Sequence, residues 1–218
     1  KNVVEYDDVM NKQREVVYGL RNRVLAGEVA DSEILSTLNS QLSTVVDSYA
    51  PRGIVESEVL PIVTALVDVI PFDDLSQKAL HDQFKKLSTS KEIIASISQI
   101  VSDTLVQRKG QVGEPTWKEI IKYAYLSSID NLWIDHLDAV DDLREGVGLR
   151  GYGQRDPLVE YKSEAYSMFE RLVAQIDSEF SKRLFIIQIG QQPPPIEPLI
   201  KQAQEFKADA PKATSHSV

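Results

Sequence analysis

Apolar side chains recur every three or four positions through most of this chain, and proline and glycine mark where the pattern stops. Val3, Met10, Val17 and Val24 stand seven apart, with Tyr6, Gln13 and Leu20 on the companion position. That is an a/d-like seam on a helix of roughly 25 residues ending near Gly27, and so narrow a seam requires a partner helix rather than a broad core. Leu35, Leu38, Leu42, Val45 and Tyr49 predict a second amphipathic helix, stopped by Pro51 and Gly53. Between Ile54 and Leu87 the pattern is interrupted at Pro61 and Pro71, which predicts shorter helices. Thr89-Ser-Lys-Glu92 reads as a capping box ahead of Ile93, Ile97, Ile100 and Leu105, and Gly110–Gly113 closes that unit.

Glu114-Pro115-Thr116 then opens a very long helix, with proline in the first turn. Its stripe holds Ile120, Ala124, Ile129, Leu132, Trp133, Leu137, Val140 and Leu143. It is expected to run about 30 residues to Gly146, roughly 45 Å. Asp156-Pro157 supplies an N-cap and a first-turn proline for the next helix, striped by Leu158, Tyr161, Ala165, Met168, Leu172, Ile176 and Phe180. Two long helices joined by a short loop must lie antiparallel, so a helical hairpin with its tip at Gly146–Arg155 is expected. Leu184–Ile189 reads equally as the end of this helix or as a short strand, and residues 191–218 read as linker and tail. Glycine and proline number ten each among 218 residues, and the long stretches free of both predict an all-α fold.

Composition narrows the function. A hydrophobic share of 42% with 26% charged residues is that of a folded globular chain. A net charge of −9 argues against a nucleic-acid partner, because phosphate neutralisation needs surplus lysine and arginine. The absence of cysteine excludes disulfides, thiol nucleophiles and Cys-based zinc sites, and the three histidines (His81, His136, His216) are scattered. No apolar run approaches the ~20 residues of a membrane span and no secretory leader opens the sequence. The chain starts at Lys1, already in helical pattern, and reads as a piece of something longer.

Gly146-Val-Gly-Leu-Arg-Gly151 matches G-x-G-x-x-G, but it follows a helix instead of a strand, so helix termination is the better reading than a nucleotide site. No G-x-x-x-x-G-K-[ST] occurs. The acid clusters Asp7-Asp8 and Asp135-His-Leu-Asp138 with Asp141-Asp142 lack a second histidine on a shared face, and read as solvated faces or inter-helix ion pairs before they read as metal ligands. The tip differs: Leu149-Arg-Gly-Tyr-Gly-Gln-Arg155 sets a tyrosine between glycines and two arginines, the composition of a contact surface.

These residues carry a resemblance. Asn2-Val-Val-Glu-Tyr-Asp-Asp-Val-Met-Asn-Lys-Gln-Arg14 resembles the scaffold-helix signature of the SecA family of bacterial protein-translocation motors. Trp133, His136-Leu137, Asp141, Leu143-Arg144, Gly146, Leu149-Arg-Gly-Tyr152, Gln154, Asp156-Pro-Leu158 and Glu160-Tyr-Lys162 resemble its two-helix finger. The resemblance covers roughly residues 1–190 and is weakest over 50–115. It implies a scaffold helix with its following helix at 1–48, an inserted helical wing at 49–113, the finger at 114–190 and a C-terminal linker at 191–218. It also implies that Asp7, Asp8, Asn11 and Arg14 face the nucleotide-binding and crosslinking domains of a longer motor. Arg150, Tyr152, Gln154 and Arg155 would then meet the translocating polypeptide and a SecY-type channel, with the arginines also suited to an anionic membrane surface.

ATP and magnesium would belong to the parent motor, with no catalytic residue, metal or cofactor in this stretch. The implied setting is the cytoplasmic, inner face of the plasma membrane, with unfolded preproteins as cargo; monomer and homodimer are both open. Gly153 stands where the family often has alanine, and the family's Cys-rich zinc tail has no counterpart among these residues. Two rival expectations are a free-standing helical adaptor docking a partner helix on the Val3–Val24 seam, and a metal-dependent enzyme using the acid clusters.

Overall fold

The computed structural model describes residues 2–50, 56–150 and 156–187; the side chains of 2–4, 56 and 148–150 are outside that description. Among the described residues the regular elements are seven α-helices and no strand: α1 (Asn2–Ala26), α2 (Asp31–Tyr49), α3 (Glu56–Val69), α4 (Asp74–Phe84), α5 (Ser90–Val112), α6 (Glu114–Arg150) and α7 (Pro157–Ile186). The all-α expectation holds, and the undecided Leu184–Ile189 segment is helical to Ile186.

Local chemistry explains most boundaries. Helix α1 ends in a Schellman turn: Gly27 takes φ +72°, its N–H donates to the Val24 carbonyl, and the Glu28 N–H donates to that of Arg23. Asp73 caps α4 by accepting from the Ser76 N–H at 2.7 Å. The Thr89–Glu92 capping box forms in both directions, at 3.2 and 3.0 Å. Asp156 caps α7 by accepting from the Leu158 N–H at 2.9 Å, with Pro157 in the first turn.

Three sequence expectations are corrected. Pro61 lies inside α3 and does not end it, because Val59, Ile62, Val63 and Leu66 are buried around it and outweigh one missing hydrogen bond. Only Pro71 coincides with a break, between α3 and α4. Gly110 is helical too: α5 continues to Val112, and the turn is made by Gly113 alone at φ +81°. Gly146 likewise does not start the hairpin tip, since α6 runs 37 residues to Arg150, roughly 55 Å.

The core runs through all seven helices. Helix α2 packs on α3, α5 and α7, and α6 and α7 pack along their length with α1 against both. Gln13, Val17 and Val24 of the α1 seam are buried there and Met10 and Leu20 partly so, which covers intramolecularly the face on which the adaptor reading would seat a partner helix. Polar contacts tie α5 to the base of the hairpin. Lys109 reaches Asp31 at 2.6 Å and Glu114 at 2.7 Å, Trp117 Nε1 donates to Asp31 at 3.0 Å, and Arg108 donates to the Ile187 carbonyl at the end of α7. A cation at a helix C-terminus also opposes the helix dipole favourably.

Candidate functional site

The buried positions of α6 thin out along its length. After a single Trp117 they come in pairs, at Ile120 and Ile121, Ala124 and Tyr125, Ser128 and Ile129; farther on they are single again, at Trp133, His136, Val140 and Val147. Helix α7 mirrors this, from Tyr161 and Ala165 at the outer end to Phe180, Ser181, Leu184 and Phe185 at the base. The hairpin therefore grows out of the main core as a lever. At its outer end Val140, Val147, Tyr161 and Ala165 form a separate small cluster with Tyr6, Val9, Met10, Leu143 and Met168 against it.

Helix α1 braces that lever. Arg21 binds Asp130 through Nε at 2.9 Å, Gln13 meets His136 at 2.8 Å and Asp7 meets Arg144 at 3.2 Å, so α1 runs antiparallel to α6. Glu5 pairs with Lys162 at 3.2 Å, the Tyr6 and Tyr161 rings meet edge-on at 4.6 Å, and Gln13 Nε2 donates to the Ala165 carbonyl at 3.1 Å, so α1 runs parallel to α7. The Arg144 guanidinium also lies 5.8 Å from the Tyr6 ring centre. Between α6 and α7, Tyr125 stacks on Phe180 at 3.6 Å and His136 lies 6.0 Å from Phe169, consistent with an antiparallel hairpin.

The proposed domain-facing residues Asp7, Asp8, Asn11 and Arg14 are all exposed on α1, away from its buried seam. Spacings of three, four and seven place them on one side of the helix. Arg14 donates to Asn11 at 3.3 Å, and Asp7 doubles as the anchor for Arg144. Tyr152, Gln154 and Arg155 lie outside the described residues, as does the side chain of Arg150, whose backbone closes α6. Among the described residues no group of three or more His, Cys, Asp or Glu could hold a metal, and no helix is long and apolar enough to cross a membrane. Asp7, of the acid clusters, enters an inter-helix ion pair.

Burial sets the protonation behaviour of the site. Desolvation pushes the His136 imidazole below the usual histidine value and the Tyr161 phenol above the usual tyrosine value. At the base, burial and then Glu33 raise the Asp177 carboxyl, and burial raises the Tyr125 phenol. His136 also lines a groove of about 450 Å³ on the hairpin, with Leu132, Asp135, Met168, Arg171 and Leu172.

Sequence reasoning missed Gln13, Arg144, Tyr161 and Lys162 as braces, and considered His136 only as a metal ligand. A signal existed for two of them. Gln13 is the one amide on an otherwise apolar seam, and His136 sits between Leu132 and Val140 on an apolar stripe. Each is a polar group committed to burial, which requires a partner.

Residues 1–188 match the family described as the SecA wing and scaffold domain. Curated relatives include the protein translocase subunits SecA of three bacteria. That of Heliobacterium modesticaldum is 37% identical over 190 residues, covering 87% of this chain and 22% of that protein. Symbiobacterium thermophilum follows at 35% over 202 residues (88% and 22%) and Syntrophomonas wolfei at 34% over 208 residues (94% and 24%). The chain thus spans about a fifth to a quarter of the length of these relatives.

Proposed function

The chain belongs to the SecA wing and scaffold family, and on that premise we propose that it is the transmission element of an ATP-driven preprotein translocase. In this reading the nucleotide-binding and crosslinking domains of the longer protein bear on α1 at Asp7, Asp8, Asn11 and Arg14. ATP and magnesium are held by those domains; this stretch supplies no catalytic residue and no cofactor site. Movement passes along α1 to the hairpin, whose tip, with Arg150, Tyr152, Gln154 and Arg155, meets the unfolded preprotein at the mouth of a SecY-type channel. The protein works at the cytoplasmic face of the membrane, where the two arginines also suit anionic lipid.

The observation that carries this is the set of braces. A helix bonded to both arms of a hairpin at several levels can carry that hairpin with it, and its outward face stays open to other domains. Tyr152 grips by contact area. An aromatic ring buries up to ~150–250 Å² and has no demand for a particular side chain opposite. At ~25 cal/mol per Å², half that area is worth roughly 2–3 kcal/mol per contact.

The test uses the full-length translocase with transport of a defined precursor into channel-containing vesicles. Tyr152→Ala is expected to reduce transport about tenfold or more, as a loss of that size implies, and Tyr152→Phe to retain most of it. ATP binding and the melting temperature should be unchanged in both. Wild-type transport by the alanine variant would overturn the gripping role.

A further inference from the structure

We propose that Gln13 is a positioning residue that locks the axial register of α1 against both helices of the hairpin, acting through His136 held as its Nε2–H tautomer. The proposal rests on the reading above, in which α1 passes movement to the hairpin.

The tautomer follows from geometry. Gln13 is 5% exposed and His136 7%, so the polar atoms that face each other across this contact depend on protein partners. The Ala165 carbonyl can only accept, so the amide nitrogen of Gln13 must be the atom 3.1 Å from it. That turns Oε1 toward His136, 2.8 Å from its Nε2. An amide oxygen can only accept, so Nε2 carries the proton, and in the neutral ring Nδ1 does not. The neutral ring is the favoured form, because burial beside the Trp133 and Phe169 rings, at 5.6 and 6.0 Å, strips a charged imidazolium of solvating water.

Register is what this pair supplies. Elsewhere the seam is packed by Tyr6, Met10, Val17, Leu20 and Val24, whose apolar burial is non-directional. The ion pairs along α1 use long, exposed side chains that can follow a shift of an ångström or two. Gln13 is buried and bonded at both ends, to α6 and to α7. An axial slide of two residues, about 3 Å, would stretch these bonds of 2.8 and 3.1 Å to roughly 4.1 and 4.3 Å, beyond hydrogen-bonding range. A single buried polar group at a seam position is a known means of fixing register at some cost in stability. Its location fits the task. Val17 and Trp133 belong to the main core and Val140 and Ala165 to the outer cluster, so Gln13 and His136 stand where one gives way to the other.

Two measurements test this. In the 218-residue chain, ring ¹⁵N shifts of labelled histidine, with only three residues to assign, should give the Nε2–H pattern for His136 at neutral pH; the Nδ1–H pattern would overturn the assignment. In the full-length translocase, Gln13→Met with His136→Phe removes both partners together and leaves no orphaned side-chain group, so melting should stay close to wild type. Precursor transported per ATP hydrolysed should nevertheless fall by roughly threefold or more. His136→Gln, which keeps a donor near Nε2, should restore most of the coupling when Gln13 is present. Wild-type coupling in the double variant, with Tyr152→Ala defective in the same assay, would overturn the register role and leave the transmission reading standing. If Tyr152→Ala also transports normally, that reading falls, and this proposal with it.

Discussion

The two ends of the α6–α7 hairpin are held by different physics. At the base, Trp117, Tyr125, Ile129, Ile176, Phe180 and Leu184 join a core to which every helix contributes. At the outer end four buried residues suffice, and much of the remaining attachment is ionic or aromatic: Glu5–Lys162, Asp7–Arg144 and Tyr6–Tyr161. Apolar burial is non-directional and grows with area, so the base is both the stable end and the rigid one. Salt should therefore reshape the outer end more than the base, and pH should act on the two ends in opposite senses. A lever built this way has a fixed root and a tunable arm.

The largest effect should therefore come from the base. Phe180 is fully buried and stacked on Tyr125 at 3.6 Å. Phe180→Ala is expected to cost about 3–5 kcal/mol, lowering the melting temperature of the 218-residue chain by roughly 10 °C. Tyr161 is almost as buried, at 1% exposure. Yet Tyr161→Ala should open mainly residues 140–150 and 156–165 to amide hydrogen exchange, with a clearly smaller fall in global melting. Equal melting shifts for the two variants would break the comparison, because the hairpin would then be one cooperative body throughout.

The contrast also shows where the sequence was informative. Caps and turns are written in neighbouring residues, so Thr89–Glu92, Asp156-Pro157 and Gly27 were legible. Gly110 and Gly146 misled because each costs a helix only about 1 kcal/mol, less than the burial that follows. Val147, one heptad past Val140 and fully buried, draws α6 through Gly146. The seam on α1 was readable, and so was its need for a partner helix; that the partners are α6 and α7, more than a hundred residues away, was not. The same distance hid the braces, since nothing near Gln13 in sequence points to His136 or Ala165. The proposed contact face on α1 was named from a resemblance, and its exposure agrees with that role without testing it.

A middle-sized effect separates the two ends by pH. His136 has its pKa depressed in the folded state, so the unfolded chain binds the proton more readily. Its contribution to stability is complete above the unfolded value near 6.5 and is lost as pH falls through the depressed folded value. Asp177, at the base, works in the opposite sense. Its carboxyl is raised by burial and by Glu33, so the folded state is favoured below that raised value and loses the contribution as pH rises through it. Amide protection factors over residues 133–150 and 156–169, which are corrected for the intrinsic pH dependence of exchange, should accordingly fall between about pH 7 and pH 5, and His136→Phe should remove that fall. Asp177→Asn should raise the melting temperature at neutral pH by a few degrees. An acid response that survives in His136→Phe would assign it to other groups.

The smallest effect is ionic and confined to the outer end. The pairs Glu5–Lys162 and Asp7–Arg144 are each 3.2 Å long, between side chains that are 37–54% exposed. Pairs so placed are worth at most about 1 kcal/mol each and weaken as salt screens them. Arg144 adds its position over the Tyr6 ring, an attraction of ~0.5–1 kcal/mol at an exposed site. Arg144→Gln should thus lower global melting by a few degrees at most, but exchange in the first turns of α1 should quicken several-fold. Wild-type protein moved from low to high salt should show the same local response, and Arg144→Gln should show less of it, having only Glu5–Lys162 left to screen. Arg144→Lys keeps the charge toward Asp7 and gives up the flat guanidinium, so its exchange should lie between the two. Apolar burial carries no charge to screen, so at the base salt should act only through exposed pairs such as Lys109–Asp31 and Lys109–Glu114, and the amides around Tyr125 and Phe180 should respond much less than the outer end. A salt response of equal size around Tyr125 and Phe180 would mean that ionic contacts carry the root as much as apolar burial does, and the division between a fixed base and a tunable arm would fail.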